Sequence, residues 1–252
     1  MSERGQTETI GFVLVFTLIM LSVGAVYLTG FSGLQASRDA EQVNNVERAF
    51  DVLADNLAEI YRNGAPSRAT ELRVPGGSIG FGGSTTVTVA VENTMNASDN
   101  TTVVASADPV VYESQGGAKI VYAQGAVFRE RSGGSVMLSS PDWLIDQDRS
   151  VLPLVVTYAS GNQTSMAGSG SILVVANRET RRVAGVFRTN DSASARVAVT
   201  VDSDRADAWK QYFEDEGLTA VDADATDGTV TYRFTTDAVY VSRTDIGMVL
   251  EQ

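Results

Sequence analysis

The sequence contains neither histidine nor cysteine. Their absence excludes Ser-His-Asp and Cys-His nucleophiles, zinc sites built on Cys or His, haem ligation through His and CxxC redox chemistry. Lysine is almost missing too: Lys119 and Lys210 are the only ones, and every other basic residue is arginine. What is left to an enzyme is carboxylate, Lys, Tyr or Ser/Thr chemistry. A chain of 252 residues is long enough to build a hydrophobic core without a disulfide or metal staple.

Positive charge is scarce relative to negative. Nineteen basic residues stand against 31 acidic ones, a formal net charge of −12. Such a surface repels polyphosphate backbones, so no nucleic-acid partner is expected. An acidic, lysine-poor surface also suits strong salt, because at about 1 M the Debye length falls to about 3 Å and self-repulsion is quenched. This reads as a halophilic protein; an ordinary acidic protein from a GC-rich genome is the alternative.

Against these absences stands one long hydrophobic run. From Ile10 to Phe31 the chain reads IGFVLVFTLIMLSVGAVYLTGF, 22 residues without a charge. At 1.5 Å per residue this is about 33 Å of helix, a match to a hydrocarbon core of about 30 Å. The run exceeds the apolar region of an ordinary secretory signal, about 7 to 15 residues, although a cut after Ala36 is conceivable. A core helix of this length without a polar stripe would need a larger protein around it.

The helical pattern does not stop at Phe31. Val43, Val46, Phe50, Leu53, Leu57 and Ile60 are spaced 3, 4, 3, 4, 3, the seam of a heptad repeat, with Arg38, Asp39, Glu41, Glu47, Arg48, Asp51, Asp55 and Glu59 on the other faces. Gly30 and Gly33 weaken the junction by about 1 kcal/mol each in a water-exposed helix. Asn63-Gly64-Ala65-Pro66 supplies a left-handed cap and a proline, which ends the helix. From Glu8 to Arg62 the expected rod is about 80 Å long. Gly11, Ser22, Gly24, Ala25, Thr29, Gly30 and Gly33 offer the close approaches on which helix association in lipid depends; a single anchor touching only lipid is the other reading.

The leader Met1-Ser2-Glu3-Arg4-Gly5, followed by Gln6-Thr7-Glu8-Thr9 and the apolar run, resembles the class III signal of archaeal type IV pilins and archaellins, most of all the pilin-like surface proteins of haloarchaea. The resemblance covers about 30 residues, or about 60 with the helix extension. It implies that a membrane-embedded prepilin peptidase cuts between Gly5 and Gln6, with Arg4 before the cut, so that the hydrophobic helix stays on the mature chain. It also implies an assembly helix containing Glu8, Ile10, Phe12 and Phe16 and, along the seam, Val43, Val46, Phe50, Leu53, Leu57 and Ile60. Bacterial pilins carry glutamate as the fifth mature residue, where this chain has Ile10; the nearest acid is Glu8, which also suits the positive end of a helix.

Arg4 and the chain amine precede the span, a slight bias toward an inside N-terminus. Four N-x-S/T sequons, at Asn96, Asn100, Asn162 and Asn190, agree with an exported, glycosylated domain.

After Pro66 short β-rich runs alternate with Gly, Asn, Asp and Ser. They fall at 85–91, 102–105, 110–112, 119–123, 126–129, 135–138, 152–158, 171–176, 182–188, 196–201, 230–234 and 239–241. The spacing predicts an antiparallel, sandwich-like β domain. One helix interrupts it, from a capping Ser203 to Gly217, with Ala206, Trp209 and Phe213 on one face as core. The fold class expected is therefore α+β: a long N-terminal helix, then an antiparallel β-sandwich-like domain with one short helix.

Few segments invite a chemical reading. The glycine-rich stretch 75–84 lacks the Gly-Lys-Ser/Thr ending of a phosphate loop and reads as a strand connection. Gly168-Ser169-Gly170-Ser171 is too short for a nucleophile elbow, and its serine has no histidine base. Acidic runs at 142–148, 202–204 and 222–228 read as solvated loops, with Ca²⁺ binding as the alternative. No catalytic residue, cofactor or metal is assigned.

The expected organisation is a leader at 1–5, a transmembrane helix at 6–33, a helix extension at 34–65 and an extracellular β domain at 66–252. The expected function is a subunit of a type IV pilus-like surface filament, single-pass in the membrane, with its own copies or other pilins as partners through the N-terminal helix. The alternative is a membrane-anchored binding or adhesion module that does not polymerise.

Overall fold

A computed structural model describes residues 3–93, 100–188 and 194–252. Helix α1 spans Glu3–Tyr61 without a break, followed by β1 (Ser67–Val74), β2 (Ser78–Phe81) and β3 (Thr85–Asn93). Next come β4 (Thr101–Ala107), β5 (Val110–Glu113), β6 (Lys119–Ala123), β7 (Ala126–Arg131), β8 (Gly134–Ser139) and β9 (Ser150–Ala159). The chain continues through β10 (Ser165–Ala167), β11 (Gly170–Arg188), β12 (Ala195–Ser203), α2 (Ala206–Asp215) and β13 (Thr219–Asp222). A 3-10 turn at Ala225–Asp227 leads to β14 (Thr229–Thr236) and β15 (Ala238–Glu251). The architecture is α+β, as the sequence predicts.

The strands form three sheets: β1-β11-β15-β9, β10-β2-β5-β6-β7-β8 and β13-β14-β12-β3-β4. Among the described residues all pairings are antiparallel except β15 with β9, which run parallel. The antiparallel expectation holds apart from that pair, whose partner far away in sequence leaves no local signal. The expected runs at 171–176 and 182–188 are one strand, β11, bent by two bulges at Arg178/Thr180 and Val183/Gly185.

The chain divides into two compact units, Met1–Asn44 and Asn45–Gln252. The last turns of α1, residues 45–61, belong to the same unit as the strands. The physical reason is the seam. Val46, Phe50, Leu53, Leu57 and Ile60 are each at most 2% exposed, and Val43 is buried as well.

Strand parity says what covers the seam within the β unit. In β6 the consecutive residues Ile120 to Ala123 and in β7 Ala126 to Phe128 are buried, the mark of strands packed on both faces. One face of these strands, with Val121, Ala123 and Phe128, joins a core built on Val87, Val89, Val199, Leu152 and Trp209. The other face carries Ile120, Tyr122, Val127 and Arg129, and the Arg129 guanidinium pairs with Glu47 of α1. From the first sheet Thr70, paired with Val174 and then Leu250, accepts a hydrogen bond from Asn56 Nδ2 at 2.9 Å. Residues 45–61 thus pack on the six-stranded and four-stranded sheets together.

The end of α1 is satisfied from a distance. Its last turn holds no basic residue, yet Arg181 Nε donates to the carbonyl of Tyr61 and Arg181 Nη2 to that of Arg62, both at 3.0 Å. Arg178 donates to the carbonyl of Gly64. Two strand arginines therefore do what a terminal Lys or Arg does in other helices. The predicted left-handed residue is Gly64, at φ +77°.

Helix α2 starts later than expected. Its N-cap is Arg205, with no side-chain cap, and Ser203 Oγ accepts from the Arg205 N–H instead. Asp202 and Ser203 are still paired with β3 or β14 as part of β12, so the strand holds the serine out of the cap position. The C-terminus follows the Schellman pattern: Leu218 N–H to Phe213 O and Gly217 N–H to Glu214 O, both 3.0 Å, with Gly217 at φ +74°.

Several tyrosines are buried with their protons. Burial, then the Tyr122 and Asp142 charges, push the Tyr61 phenol well above its ordinary range. Burial and Asp142 do the same for Tyr122. Burial and the Glu214 carboxylate push Tyr232 up to about 12. A phenol raised in the folded state leaves stability intact below the unfolded value near 10 and removes it as pH climbs above. Urea midpoints are thus expected to be level below about pH 10 and to fall above it, by about 1.4 kcal/mol per pH unit for each buried tyrosine; midpoints that stay level would show these phenols titrating freely.

Candidate functional site

The N-terminal half of α1 is the candidate anchoring and assembly surface. From Ile10 through Leu34 the large apolar side chains are exposed around the whole helix, Ile10 at 61%, Phe12 at 71%, Phe16 at 49% and Val26 at 73%. The segment is long and apolar enough to cross a membrane, and none of its most hydrophobic window is buried. Two of its hydroxyls turn inward: Thr17 Oγ1 donates to Val13 O and Ser22 Oγ to Leu18 O, both at 2.7 Å. Back-bonding of this kind removes the hydroxyls from a medium that offers no partners. Phe12 stacks on Phe16 and Tyr27 on Phe31, ring centroids 6.2 Å apart in each pair. A Cβ added at Gly11, Gly24, Gly30 or Gly33 would meet nothing within 4 Å, so inside the chain these glycines serve no close contact.

The structure separates the predicted assembly residues into two sets. Ile10, Phe12 and Phe16 are exposed, whereas Val46, Phe50, Leu53, Leu57 and Ile60 are core of their own β unit and Val43 is also buried. Buried seam residues offer no surface to a second copy, whereas those of the apolar run are open. Arg4, Gly5, Gln6 and Glu8 lie within α1, and their side chains lie outside the described residues. Asn100 and Asn162 are exposed, the latter in the connection between β9 and β10; Asn96 and Asn190 lie outside the described residues.

The segments weighed for chemistry have structural roles. Within the glycine-rich stretch lies β2, paired with β5 and β10. Gly77 is held at φ +96°, where a Cβ would come within 2.1 Å of the Glu113 carbonyl oxygen, so close strand approach explains the glycine. In the acidic turn, Asp222, Asp224 and Asp227 accept hydrogen bonds from the N–H groups of Asp224, Thr226 and Thr229. These are Asx turns, and among the described residues no three acidic side chains converge as metal ligands.

A cavity of about 540 Å³ opens at the end of α1, lined by Tyr61, Arg62, Asp142, Trp143, Leu144 and Pro153 among others. Tyr61 donates its phenol proton to Asp142 at 2.5 Å, and Arg62 reaches the same carboxylate at 3.3 Å. Asp142 is thus occupied by two neighbours, and the buried Tyr61 phenol is far too weak an acid to act as a proton donor near neutrality. Nothing in the sequence marked this junction, since its members are 80 residues apart.

A sequence family of unknown function, DUF7289, matches residues 4–249. The chain belongs to DUF7289. The match includes the entire apolar run as well as the β unit, so in DUF7289 the helix is part of the shared sequence and not an appendage. No curated protein and no solved structure matches the chain.

Proposed function

We propose that this DUF7289 chain is a pilin-like subunit of an archaeal type IV pilus-like surface filament, held and assembled through its N-terminal helix. One observation carries the reading: a single helix bears a wholly exposed apolar segment and, further on, a seam buried in its own β unit. The exposed segment has to be covered by lipid or by its like. In lipid it makes a single-pass anchor; in a filament, apolar helices from many copies bundle by close packing, with Gly11, Gly24, Gly30 and Gly33 free to admit a neighbour. The partners are then the membrane, a prepilin peptidase cutting between Gly5 and Gln6, and other copies or other pilins. The β unit stands outside the cell, in a salt-rich medium that its acidic, lysine-poor surface suits, with Asn100 and Asn162 accessible to glycosylation.

A second reading is favoured by the burial of the seam. With Val46 to Ile60 committed inside the chain, the heptad pattern no longer argues for contacts between copies, and a stationary anchored binding module uses the same helix equally well.

Two measurements on cells separate these readings. The mature chain is expected to begin at Gln6 by mass spectrometry, and Gly5→Val is expected to leave the leader in place. Shearing is expected to release the protein in high-mass filaments. A chain beginning near Ser37 would remove the helix and both readings with it, and release only as monomer by detergent would leave the stationary module.

A further inference from the structure

Among the described residues every long sheet edge but one is closed. β1 carries Arg68, Glu71 and Arg73, charges that keep another strand away. β4 and β9 are bridged by Gln124, whose Nε2 donates to Ala105 O at 3.0 Å and whose Oε1 accepts from the Val155 N–H at 3.2 Å. β10 and β13 are three and four residues long. β8, the last strand of the six-stranded sheet, reads GSVMLS and has neither charge nor proline. Its hairpin with β7 closes at Arg131 and Gly134 across two residues, and hydrogen-bonded pairs alternate from there. Gly134 and Val136 thus bond to β7, whereas Ser135 and Met137 turn their N–H and C=O outward. No backbone group among the described residues meets them.

A cavity of about 560 Å³ lies along this edge, between β8 and α2. Four consecutive β8 residues, 135–138, line one side of it, and Asp207, Gln211 and Asp215, one ridge of α2 at a spacing of four, line the other. Consecutive residues share a wall only where the wall is a strand's edge, since the two faces alternate. The register of the two walls follows from their common neighbour. Arg205 pairs with Glu130 and the Trp209 ring lies 5.7 Å from Phe128, and these β7 residues stand opposite Ser135 and Met137. Helix and strand therefore run parallel, with Asp207 beside Val136 and Asp215 beside Ser140. About 12 Å of helix separates the two carboxylates, the length of about four strand residues. Both are exposed, and neither has a cation among the described residues: Gln211 Nε2 donates to Asp215 at 2.8 Å, Arg205 is engaged by Glu130, and the Lys210 charge acts on Asp224.

We infer that β8 takes up one further strand: an extended segment of a different protein that bears Arg or Lys at two positions four apart, both facing α2, with apolar residues at the first and third positions between them. Main-chain bonds to Ser135 and Met137 supply the pairing, and the two cations meet Asp207 and Asp215. The apolar residues point to the other face of the sheet, beside Val136, which is 63% exposed. A second copy is the wrong occupant on two counts. Two β8 edges meeting about a two-fold axis set one acidic ridge against the other. The chain also lacks the segment: its only two basic residues four apart are Arg178 and Arg182, with Glu179 and Arg181 where the apolar residues belong, in a strand already paired on both sides. The site serves a polymerising subunit and a stationary module alike.

The probe is a fluorescently labelled peptide, Thr-Arg-Val-Thr-Val-Arg-Thr, titrated into the full-length chain in detergent micelles at about 0.15 M salt, where charges beyond about 8 Å are screened. Saturable binding by anisotropy is expected, weakened about tenfold by Asp207→Asn together with Asp215→Asn, both exposed positions. A peptide with its arginines three apart, and so on opposite faces, is expected to bind about tenfold more weakly. N-methylation of one alternate set of peptide amides is expected to abolish binding and of the other set to preserve it, because only one set faces β8. No binding, or an affinity unchanged by the Asn pair, would overturn the site. Equal affinity for the two arginine spacings, or equal effects of the two methylations, would overturn it in favour of attraction by net charge. Val136→Cys chains that link to one another through a disulfide without peptide would overturn it in favour of a second copy.

Discussion

Phe50→Ala is expected to cost about 3–5 kcal/mol, about a fifth or more of the stability of an ordinary domain. Phe50 is fully buried at the centre of a seam whose other members in the β unit, Val46, Leu53, Leu57 and Ile60, are at most 2% exposed. The helix is pinned on both sides, by Glu47 to Arg129 and by Asn56 to Thr70, so the structure cannot collapse into the space the ring leaves. That rigidity places the substitution toward the expensive end of its range. Urea unfolding of the full chain in detergent micelles measures the loss, and trypsin reports its location by faster cleavage at Arg48 and Arg62. Val52→Ala, on the same helix and 53% exposed, is the control and is expected within about 0.5 kcal/mol of wild type. Equal midpoints for Phe50→Ala and wild type would mean that the seam does not belong to the core of the β unit.

The seam was legible because a helix announces its buried face locally, at a spacing of three and four. What it packs against was not. Residues 45–61 rest on Thr70, whose strand pairs with residues about 100 positions away, and on Arg129 of a different sheet, and no periodicity encodes a partner. The same difference runs through the β unit. Strands with strong alternation, such as β3 and β12, stand out as runs of valine and threonine. Missed were β1, β2 and β10, where Arg, Gly, Ser and Met dilute the pattern, and β13, whose four residues are too short a run to show one. Gly77 and Gly80 read as loop although they are the condition for β2 to pair: at Gly80 a Cβ would come within 2.7 Å of Ser165 Cβ. The arginines that close α1 were invisible for a further reason. Capping is sought within a helix's own last turn, and here β11 supplies it from residues 178 and 181.

The apolar run of α1 is legible at every level but function. Length, composition and inward-turned hydroxyls say that it belongs out of water, and neither lipid nor a neighbouring helix leaves a different signature in one chain. Discrimination has to come from the chain on cells, where the two readings differ in whether shearing releases high-mass filaments.

Trp209→Ala is the second large effect expected, again about 3–5 kcal/mol. The stripe Ala206, Trp209 and Phe213 is core, as its helical spacing predicts, and Trp209 is fully buried. Its ring centre lies 5.6 Å from Trp143, 5.7 Å from Phe128 and 5.9 Å from Phe213, at tilted angles that favour aromatic pairs. This side chain of α2 thus meets β7 and the connection before β9, and Phe213 beside it carries the cluster on to Tyr232 of β14, ring centres 5.2 Å apart. Loss of the near-ultraviolet circular dichroism of the Trp143 and Trp209 pair, together with a lowered urea midpoint, is the expected result; Gln211→Ala, exposed on the same helix, is expected to change neither. The consequence reaches the sheet edge. Helix α2 lies against β8, the last strand of its sheet, and an α2 that loosens uncovers that edge with Val136 and Leu138 exposed on it. Free edges of this kind pair with one another, so the variant is also expected to aggregate on mild warming where wild type stays dispersed. A Trp209→Ala protein of unchanged midpoint would mean that the aromatic cluster fills space without holding α2 in place.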